Sequence, residues 1–482
     1  MTAVTFPNHI AGTWAAGSCA AANINPSDLN DTIGDYAQAS ATQTSDAIEA
    51  AAAALPKWRA TSPLIRFEAL DRIGSEILAR VDELGDMLAR EEGKTLPEAK
   101  AEAYRAGHLF KYFAAEAYRA TGDAYQSLRE GVSLKVLREP IGVVGVITPW
   151  NFPLSIPAWK IAPALAYGNT VVFKPAELVP GSAWMLSDII VRAGLPEGVF
   201  NLVMGKGREV GEAIVTHPKV SGVTFTGSTP VGRNMGAALF ARGAKMQLEM
   251  GGKNPLVVLD DADLDLAVHC ALQGSFFSTG QRCTASSRLI VTEGIHDTFV
   301  DRLSAAMKEL RIGDARAAET QIGPVASEAQ LAIDKRYVSQ AMDDGATLAA
   351  GGGEVRSKTP GHYFAPALFT DVSPQAAVAR DEIFGPIAAV LRVPDYDAAL
   401  ATANDCEFGL SAGIVTRDAA KIDHFSQNAE AGMIQVNLPT AGMDFHAPFT
   451  GRKGSSYGAP EKGSYCREFF TAAKVVHEGH GQ

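Results

Sequence analysis

The sequence predicts an α/β protein built on a doubly wound, mostly parallel sheet, followed by a second α/β domain. Three observations lead to this fold class. Apolar runs of strand length alternate with helical stretches between residues 141 and 249, the alternation resumes after residue 252, and 482 residues exceed one ordinary core. Such alternation is typical of parallel sheets, because each parallel connection needs a crossover.

Each element is predicted from its local pattern. Residues 45–118 are Ala-rich with apolar side chains three and four apart, which predicts helices, and residues 121–135 change to short alternating segments. Continuous apolar runs indicate strands covered on both faces. Further predicted elements are strands at 141–147, 170–173 and 220–228, and helices at 181–192 and 210–216. The predicted boundary between the domains is Gly251-Gly252.

Charge and proline content bear on the expected partners. The chain has a formal net charge of −11 and no basic block, which argues against nucleic acid and against an anionic membrane surface. Residues 141–159 hold no charged side chain and approach the length of a membrane span. Pro149, Pro153 and Pro157 interrupt this stretch, and each removes a backbone donor that hydrocarbon could not replace. A buried strand followed by a loop is therefore the preferred interpretation.

The cysteines indicate the compartment. None of the five shows CxxC or metal-ligand spacing, so a reducing compartment without disulfides is expected, and no metal site is predicted. They are Cys19, Cys270, Cys283, Cys406 and Cys466. Residues 1–10 carry neither the cationic nor the apolar region of a signal peptide. The sequence therefore predicts a cytoplasmic protein.

Two glycine-containing turns are candidates for binding phosphate groups. Gly205, Gly207 and Gly211 lie between a strand and a helix, but one residue too many precedes the third glycine of the dinucleotide fingerprint, so this signal is weak. The turn at residues 225–232 is the better candidate. Backbone donors at a helix start, together with the Ser228 hydroxyl, are suited to a pyrophosphate.

Three side chains are candidates for catalysis. Cys283 follows a flexible Gly-Gln approach and precedes two small residues, so its sulfur is expected to be accessible and nucleophilic, whereas the other cysteines are interpreted as inert. Glu249 lies between apolar residues beside a Gly-Gly turn, where burial would raise its pKa toward that of a general base; the alternative is a solvated surface glutamate. Asn151 lies in a Pro-bracketed loop, where a rigid amide is a good donor to an oxyanion; the alternative is a satisfied turn asparagine.

Six short motifs occur together along the chain. They are PWNFP at 149–153, VVFKPAE at 171–177, FTGS at 225–228, LEMGGKNP at 248–255, GQRC at 280–283 and EIFGP at 382–386. In this order they resemble the aldehyde dehydrogenase superfamily over nearly the whole chain, and the set is far more specific than any one motif.

The resemblance implies a reaction and roles for the three candidates. Cys283 would attack the aldehyde carbon, and the Asn151 amide with the Cys283 backbone N–H would hold the alkoxide. Oxidation would leave a thioester, and Glu249 would activate the water that hydrolyses it. Glu249 argues against transfer of the acyl group to coenzyme A. The presence of all three residues argues against a non-catalytic binding protein on the same fold.

The resemblance also implies a site for NAD or NADP. The expected contacts are Lys174 and Glu177 at the adenosine ribose, Gly227 and Ser228 at the pyrophosphate, Glu382 and Phe384 at the nicotinamide riboside, and Trp150. A carboxylate at Glu177 accepts from a ribose 2′-hydroxyl but repels a 2′-phosphate, so NAD is expected to be preferred, although Lys174 could tolerate NADP.

Three structural parts are expected from the resemblance. The NAD(P)-binding domain would comprise residues 1–121 and 140–249, the catalytic domain residues 250–452, and a small β oligomerisation element residues 122–139 and 453–482. Pairing of that element across a symmetric interface would give a homodimer or homotetramer.

Two positions depart from the family pattern. Several members carry a second catalytic glutamate near the C-terminus, and that position is matched here to Ser464, so Glu249 is expected to act alone. The usual PFGG motif reads PFTG, with Thr450 in place of the first glycine.

Longer segments around the motifs most resemble 2-oxoglutarate-semialdehyde (2,5-dioxopentanoate) dehydrogenases. Succinate-semialdehyde enzymes usually place Arg where this chain has Trp159, which weakens that alternative substrate. Arg282 is the candidate to bind the substrate carboxylate in two-point fashion, the alternative being an Arg packed against a neighbouring helix. Phe152 and Trp159 would line the tunnel, and aromatic or aliphatic aldehydes are the other alternative substrates.

Overall fold

The N-terminal part consists of short strands followed by four helices. The computed structural model describes residues 5–119 and 122–480, so the ends of the predicted segments at 1–4, 120–121 and 481–482 lie outside the described residues. The elements are β1 Thr5–Phe6, β2 Asn8–Ile10, β3 Thr13–Ala15, β4 Cys19–Ile24, β5 Thr32–Gln38, α1 Ala41–Arg59, α2 Pro63–Ala79, α3 Val81–Glu92 and α4 Leu96–Glu116. The helices predicted within 45–118 are present. The strands before them were not predicted. Strands β1, β2 and β3 have only two or three residues and carry no clear alternation, and β4 and β5, of six and seven residues, were missed as well.

The middle part alternates strands and helices as predicted. Its elements are β6 Asp123–Gln126, β7 Val132–Pro140, β8 Val143–Ile147, α5 Ser155–Ala166, β9 Thr170–Lys174, α6 Pro180–Arg192, β10 Phe200–Leu202, α7 Glu212–Thr216, β11 Val220–Thr226, α8 Thr229–Ala241 and β12 Lys245–Glu249. A π-helical turn at Gly207–Gly211 precedes α7, so the helix predicted at 210–216 is shorter than expected.

The C-terminal part begins after the Gly251-Gly252 link. Its elements are β13 Asn254–Val258, α9 Leu264–Ser275, β14 Ser286–Thr292, α10 His296–Lys308, α11 Glu328–Asp343, β15 Thr347–Ala350, β16 Ala367–Thr370, α12 Ala377–Arg380, β17 Ile387–Val393, α13 Tyr396–Asn404, β18 Phe408–Gly409, β19 Ser411–Val415, α14 Ala419–Asn428, β20 Met433–Val436, β21 Arg452–Lys453, β22 Ser456–Tyr457, α15 Arg467–Phe470 and β23 Thr471–Gly479.

Two large sheets organise these elements, and the predicted α/β fold class is confirmed. The first has eight strands in the order β22-β12-β11-β8-β9-β10-β2-β3, and its five central strands are parallel. The second has seven strands in the order β15-β16-β17-β14-β13-β19-β20, and all of its pairs except β15 with β16 are parallel. In open parallel sheets, ligands bind beyond the carboxyl ends of the strands. Those ends are therefore where a site is expected.

A small antiparallel sheet, β23-β7-β6, stands apart from both. Strand β23 pairs along the whole of β7, from Thr471 opposite Pro140 to Gly479 opposite Val132. Of the tail expected in this element, residues 453–482, the strand β23 belongs to the small sheet. Strand β22 instead pairs with β12 in the first sheet, because Ser456 lies opposite Glu249 in the register.

Helix α4 lies at the centre of the largest hydrophobic cluster. It packs against α2, α3 and α5, and its buried face includes Ala106, Leu109, Phe110 and Phe113. Within residues 5–119 and 122–480, no helix combines the length and the apolar character needed to cross a membrane.

Candidate active site

Cys283 lies in the loop between α9 and β14, and its thiol lines a cavity of about 310 Å³. The loop is conformationally strained, because Ser278 and Thr279 have φ angles of 50° and 56°, a left-handed conformation that side chains rarely adopt. Burial raises the pKa of Cys283 to about 12, and the charges of Glu382 and Glu249 act in the same direction. The free protein therefore holds a protonated thiol at neutral pH, and the sulfur must lose this proton when it acts as a nucleophile.

The Gly251-Gly252 link brings the two large sheets together at this thiol. A Cβ on Gly252 would lie 2.5 Å from the Cys283 carbonyl oxygen, so only glycine permits this approach. The Asn254 amide fixes the same loop by donating to the carbonyls of Cys283 at 2.7 Å and of Ala285 at 3.0 Å.

Glu249 ends β12 and is buried, so the alternative of a solvated surface glutamate does not apply. Its Oε2 accepts a hydrogen bond from Ser456 Oγ at 2.6 Å. Burial raises the pKa of Glu249 well above its usual range, and the charge of Glu461 raises it further. A carboxyl group whose pKa is raised by burial is suited to general-base work.

Glu461 is a buried carboxylate that the sequence interpretation missed. It is buried, accepts from Trp159 Nε1 at 2.6 Å and is paired with the Lys160 ammonium. Glu249 was expected to act alone, but the structure places the buried Glu461 carboxylate within electrostatic reach of it. Ser464 instead begins a short 3₁₀ turn.

Asn151 follows β8 and is also buried. Its Nδ2 donates to the Gln281 carbonyl at 2.9 Å, while Lys94 Nζ donates to its own carbonyl at 2.6 Å. One amide hydrogen of Asn151 therefore remains for a ligand, and within the described residues the Cys283 backbone N–H has no hydrogen-bond partner either. A thiol, a carboxyl group and two free N–H donors form a set suited to acyl-transfer chemistry.

The carboxyl ends of the first sheet offer donors suited to a dinucleotide. Among the described residues, the Oγ1 atoms of Thr148 and Thr226 are buried without partners, as expected where a polar ligand belongs. Lys174 ends β9, and its Nζ donates to the Pro175 carbonyl at 2.9 Å. Burial lowers the pKa of Lys174 to about 8, so an anionic ligand would favour its charged form. Residues 174, 226 and 148 therefore fit an NAD(P) group.

The remaining predicted cofactor residues surround the same edge. Gly227 and Ser228 precede α8, and the Ser228 side chain makes no capping bond, so the helix start is open to a phosphate. Glu177 is exposed and accepts from Gly207 N at 2.9 Å, which places the weaker glycine turn beside it.

Glu382, Phe384 and Trp150 lie on the side nearer Cys283. Glu382 Oε1 accepts from Gly252 N at 2.8 Å, and burial raises the pKa of Glu382 to about 7. Phe384 adopts a φ of 63°, and its ring meets that of Trp150 edge to face at 5.4 Å. Strained backbone of this kind is concentrated at functional sites.

Comparison with known proteins agrees with this geometry. The sequence pattern described as "Aldehyde dehydrogenase family" matches residues 14–476. The chain belongs to the aldehyde dehydrogenase family. It is 42% identical to "Alpha-ketoglutaric semialdehyde dehydrogenase" of Bacillus subtilis over 98% of both chains, and 38% identical to "2,5-dioxopentanoate dehydrogenase" of Saccharolobus solfataricus, also over 98% of both. The crystal structure of an NAD-dependent aldehyde dehydrogenase from Sinorhizobium meliloti superimposes with a TM-score of 0.97 at 33% identity, covering 99% of this chain and 95% of that one.

The protein is thus an NAD(P)-dependent aldehyde dehydrogenase, and Cys283 lines a cavity beside the residues described above. Phe152 and Trp159 line this cavity, as expected from the sequence. Arg282 also lines it, but its guanidinium is paired with Glu98 at 2.9 Å and donates to the Gln273 carbonyl. The structural alternative for Arg282, an Arg packed against a neighbouring helix, is the arrangement that the structure shows.

Two cations of this aldehyde dehydrogenase's cavity were missed from sequence. Arg105 lies on α4 and Lys462 directly follows Glu461, and both line the cavity. Only the helical spacing of Arg105 from Glu98, seven residues earlier, could have indicated that both lie on one face. Nothing in the structure explains Thr450.

Proposed function

We propose that this aldehyde dehydrogenase oxidises 2-oxoglutarate semialdehyde to 2-oxoglutarate, with NAD as the preferred oxidant. The observation that carries the proposal is the charge of the cavity. Four cationic side chains and only two carboxylates line it, so its formal charge is +2 in a chain whose net charge is −11. A positive cavity in an acidic protein concentrates anionic substrates. The names of the Bacillus and Saccharolobus relatives point to the same substrate.

The proposed mechanism uses three residues. Cys283 Sγ bonds to the aldehyde carbon while the thiol proton is lost to solvent water, and the new alkoxide accepts from Asn151 Nδ2 and the Cys283 N–H. NAD, when bound, would be the oxidant that accepts a hydride, and loss of hydride from that carbon would leave a thioester on Cys283. Glu249 in its ionised form then takes a proton from water as the water oxygen attacks the thioester carbon. The C–S bond then breaks and the carboxylate product leaves.

The residues around the first sheet would hold the cofactor. Lys174 and Glu177 would bind the adenosine ribose, and Gly227 and Ser228 the pyrophosphate at the start of α8. We propose a preference for NAD because the Glu177 carboxylate would repel the 2′-phosphate of NADP.

Glu382, Phe384 and Trp150 would position the nicotinamide riboside in this proposal. Glu382 would accept from a ribose hydroxyl, and the Phe384 and Trp150 rings would exclude water from the reacting carbon. The proposed division of the chain remains that of the sequence interpretation, with the cofactor domain ending near Glu249.

The protein is also proposed to form homodimers or homotetramers in the cytoplasm. The small sheet β23-β7-β6 exposes apolar side chains at Tyr125, Leu137 and Val475, which a partner copy would cover. All five cysteines are free thiols, which suits a reducing compartment. Light scattering of the purified protein tests the assembly, and a monomer would contradict it.

The substrate proposal is tested by initial rates of NADH formation. Matched concentrations of 2-oxoglutarate semialdehyde, succinate semialdehyde, pentanal and benzaldehyde should give the highest kcat/KM for the first, by about tenfold or more. Phe152 and Trp159 favour the alternative of an apolar aldehyde. A higher kcat/KM for benzaldehyde or pentanal would therefore contradict the proposed substrate but not the proposed reaction.

A further inference from the structure

The four cations of the substrate cavity fall into two classes. Lys94 is buried and paired with Glu102 at 2.7 Å, and Arg282 is paired with Glu98 at 2.9 Å. Each of these charges is therefore neutralised by a carboxylate of α4. Such pairs are positioned by the protein itself and have little attraction left for a ligand.

The other two cations have no carboxylate partner. Within residues 5–119 and 122–480, neither Arg105 nor Lys462 forms an ion pair, and the Arg105 guanidinium donates no hydrogen bond. Lys462 is 2% exposed, and its Nζ donates only to the Asp444 carbonyl, at 3.1 Å. The same ammonium lies 5.3 Å from the Trp159 ring centre and 5.2 Å from that of Phe449.

The two unpaired cations repel each other. Burial lowers the pKa of Lys462 to about 8, and the charge of Arg105 lowers it further. The charges of Glu461, Cys283 and Asp444 act in the opposite direction but do not cancel this effect. An anion placed between two such cations relieves the repulsion and stabilises both charged forms. The cavity is therefore arranged for an anionic group that the chain itself does not supply.

We propose that Arg105 and Lys462 together bind the 2-oxo-carboxylate end of the substrate, and that Arg282 does not. This inference rests on the function proposed above. The Arg105 guanidinium would donate hydrogen bonds to both carboxylate oxygens, and the Lys462 ammonium would donate to the neighbouring 2-oxo oxygen. About 5 Å separates the aldehyde carbon from the carboxylate carbon across four C–C bonds. Lys462, which is within electrostatic reach of Cys283, suits the inner of these two groups.

The test compares two aldehydes of equal chain length in each variant. The ratio of kcat/KM for 2-oxoglutarate semialdehyde to that for pentanal should fall by about tenfold to a hundredfold in Arg105→Met and in Lys462→Met, because each loses a charged hydrogen bond. The loss should appear in KM. The inhibition constant of 2-oxoglutarate should rise by a similar factor.

Matched variants separate charge from structure. Lys100→Met removes a cation from the same helix, one that pairs with Asp82 at the surface, and should leave the ratio unchanged. Arg105→Lys and Lys462→Arg keep the charge and should recover part of the ratio. A ratio that stays constant in both Met variants would overturn the proposal, and so would an equal fall in Lys100→Met.

The pH dependence provides a second readout. Above about pH 8 the wild-type ratio should fall as Lys462 loses its proton, whereas in Lys462→Arg it should stay level because arginine remains charged. A level wild-type ratio between pH 7 and 9.5 would count against Lys462. If the wild-type protein prefers pentanal outright, the substrate proposal fails. If it prefers the acidic aldehyde but the variants do too, only the assignment of Arg105 and Lys462 fails.

Discussion

The Ser456 hydroxyl opposes the rise in the pKa of Glu249 through a hydrogen bond, and the charges of Lys160 and Lys462 act in the same direction. Burial and the Glu461 charge favour the protonated form, whereas the hydrogen bond from Ser456 Oγ favours the ionised form. A general base acts only when ionised, so the acid limb of the rate profile should follow this balance.

Ser456→Ala should therefore move the acid limb of kcat to higher pH. Removing the O–H donor takes away a contact with the carboxylate form, so the pKa of Glu249 rises and more base is needed to ionise it. At high pH the variant should approach the wild-type kcat. The measurement is kcat between pH 6 and 10, with Ser426→Ala on α14, an exposed serine, as the control. An unshifted limb would contradict the role of Ser456.

Glu249→Gln should separate the two halves of the reaction. The amide is nearly the same size but cannot accept a proton from water, so the thioester should form and then persist. Stopped-flow absorbance should show a burst approaching one NADH per Cys283, followed by turnover at least about a hundredfold slower than in the wild type. Cys283→Ala should show no burst. A burst absent from Glu249→Gln would mean that Glu249 is required before the thioester forms.

Helix α4 connects three parts of the proposed catalytic site, which are the loop of Cys283, the segment of Asn151 and the cavity. Glu98, Glu102 and Arg105 lie at helical spacing on one face. Glu98 accepts from Ser278 N and Ser278 Oγ, both at 2.9 Å, and pairs with Arg282, so it holds the loop that carries the nucleophile. Glu102 accepts from the backbone N–H groups at the start of α5 and pairs with Lys94, which in turn bonds to the Asn151 carbonyl.

Glu98→Ala should lower kcat more than it lowers cofactor binding. The strained Ser278 conformation and Arg282 lose their shared acceptor, so the nucleophile loop relaxes and the unfolding free energy falls by about 1–3 kcal/mol. We expect a kcat loss of about tenfold or more, with the KM for NAD unchanged. Glu116→Gln, which breaks an ion pair at the far end of α4, is the matched control. Equal kcat in both variants would rule out a positioning role for Glu98.

The sheets and the order of helices could be predicted because long apolar runs record burial on both faces, as in β8 and β9. Cys283, Glu249 and Asn151 could be singled out because each lies within a few residues of glycines or prolines that shape its loop. The charge pairs could not be predicted. Arg282 and Glu98 are 184 residues apart, and Glu461 meets Lys160 across 301 residues. Such partners are determined by tertiary packing, and local sequence patterns carry no information about contacts between residues so far apart.

Asp334 shows how a buried carboxyl group affects the stability of the entire protein. It lies on α11 beneath the loop of residues 382–386, and its Oδ1 accepts from Gln330 Nε2 at 2.9 Å. Its Oδ2 is buried, and no described residue donates to it. Burial raises the pKa of Asp334 to about 7 from an ordinary value of 3.8.

Between pH 3.8 and about pH 7, the folded protein therefore keeps a proton on Asp334 that the unfolded chain has already released. Its contribution to stability is fully present below pH 3.8 and is lost as the pH rises to about 7, by about 1.4 kcal/mol per pH unit. Asp334→Asn cannot ionise, so its melting temperature relative to the wild type should increase between pH 5 and pH 8. Thermal melts of both proteins in the same buffers measure this difference, in which all other titrating groups cancel. A difference that does not change with pH would mean that Asp334 is ionised in the folded protein.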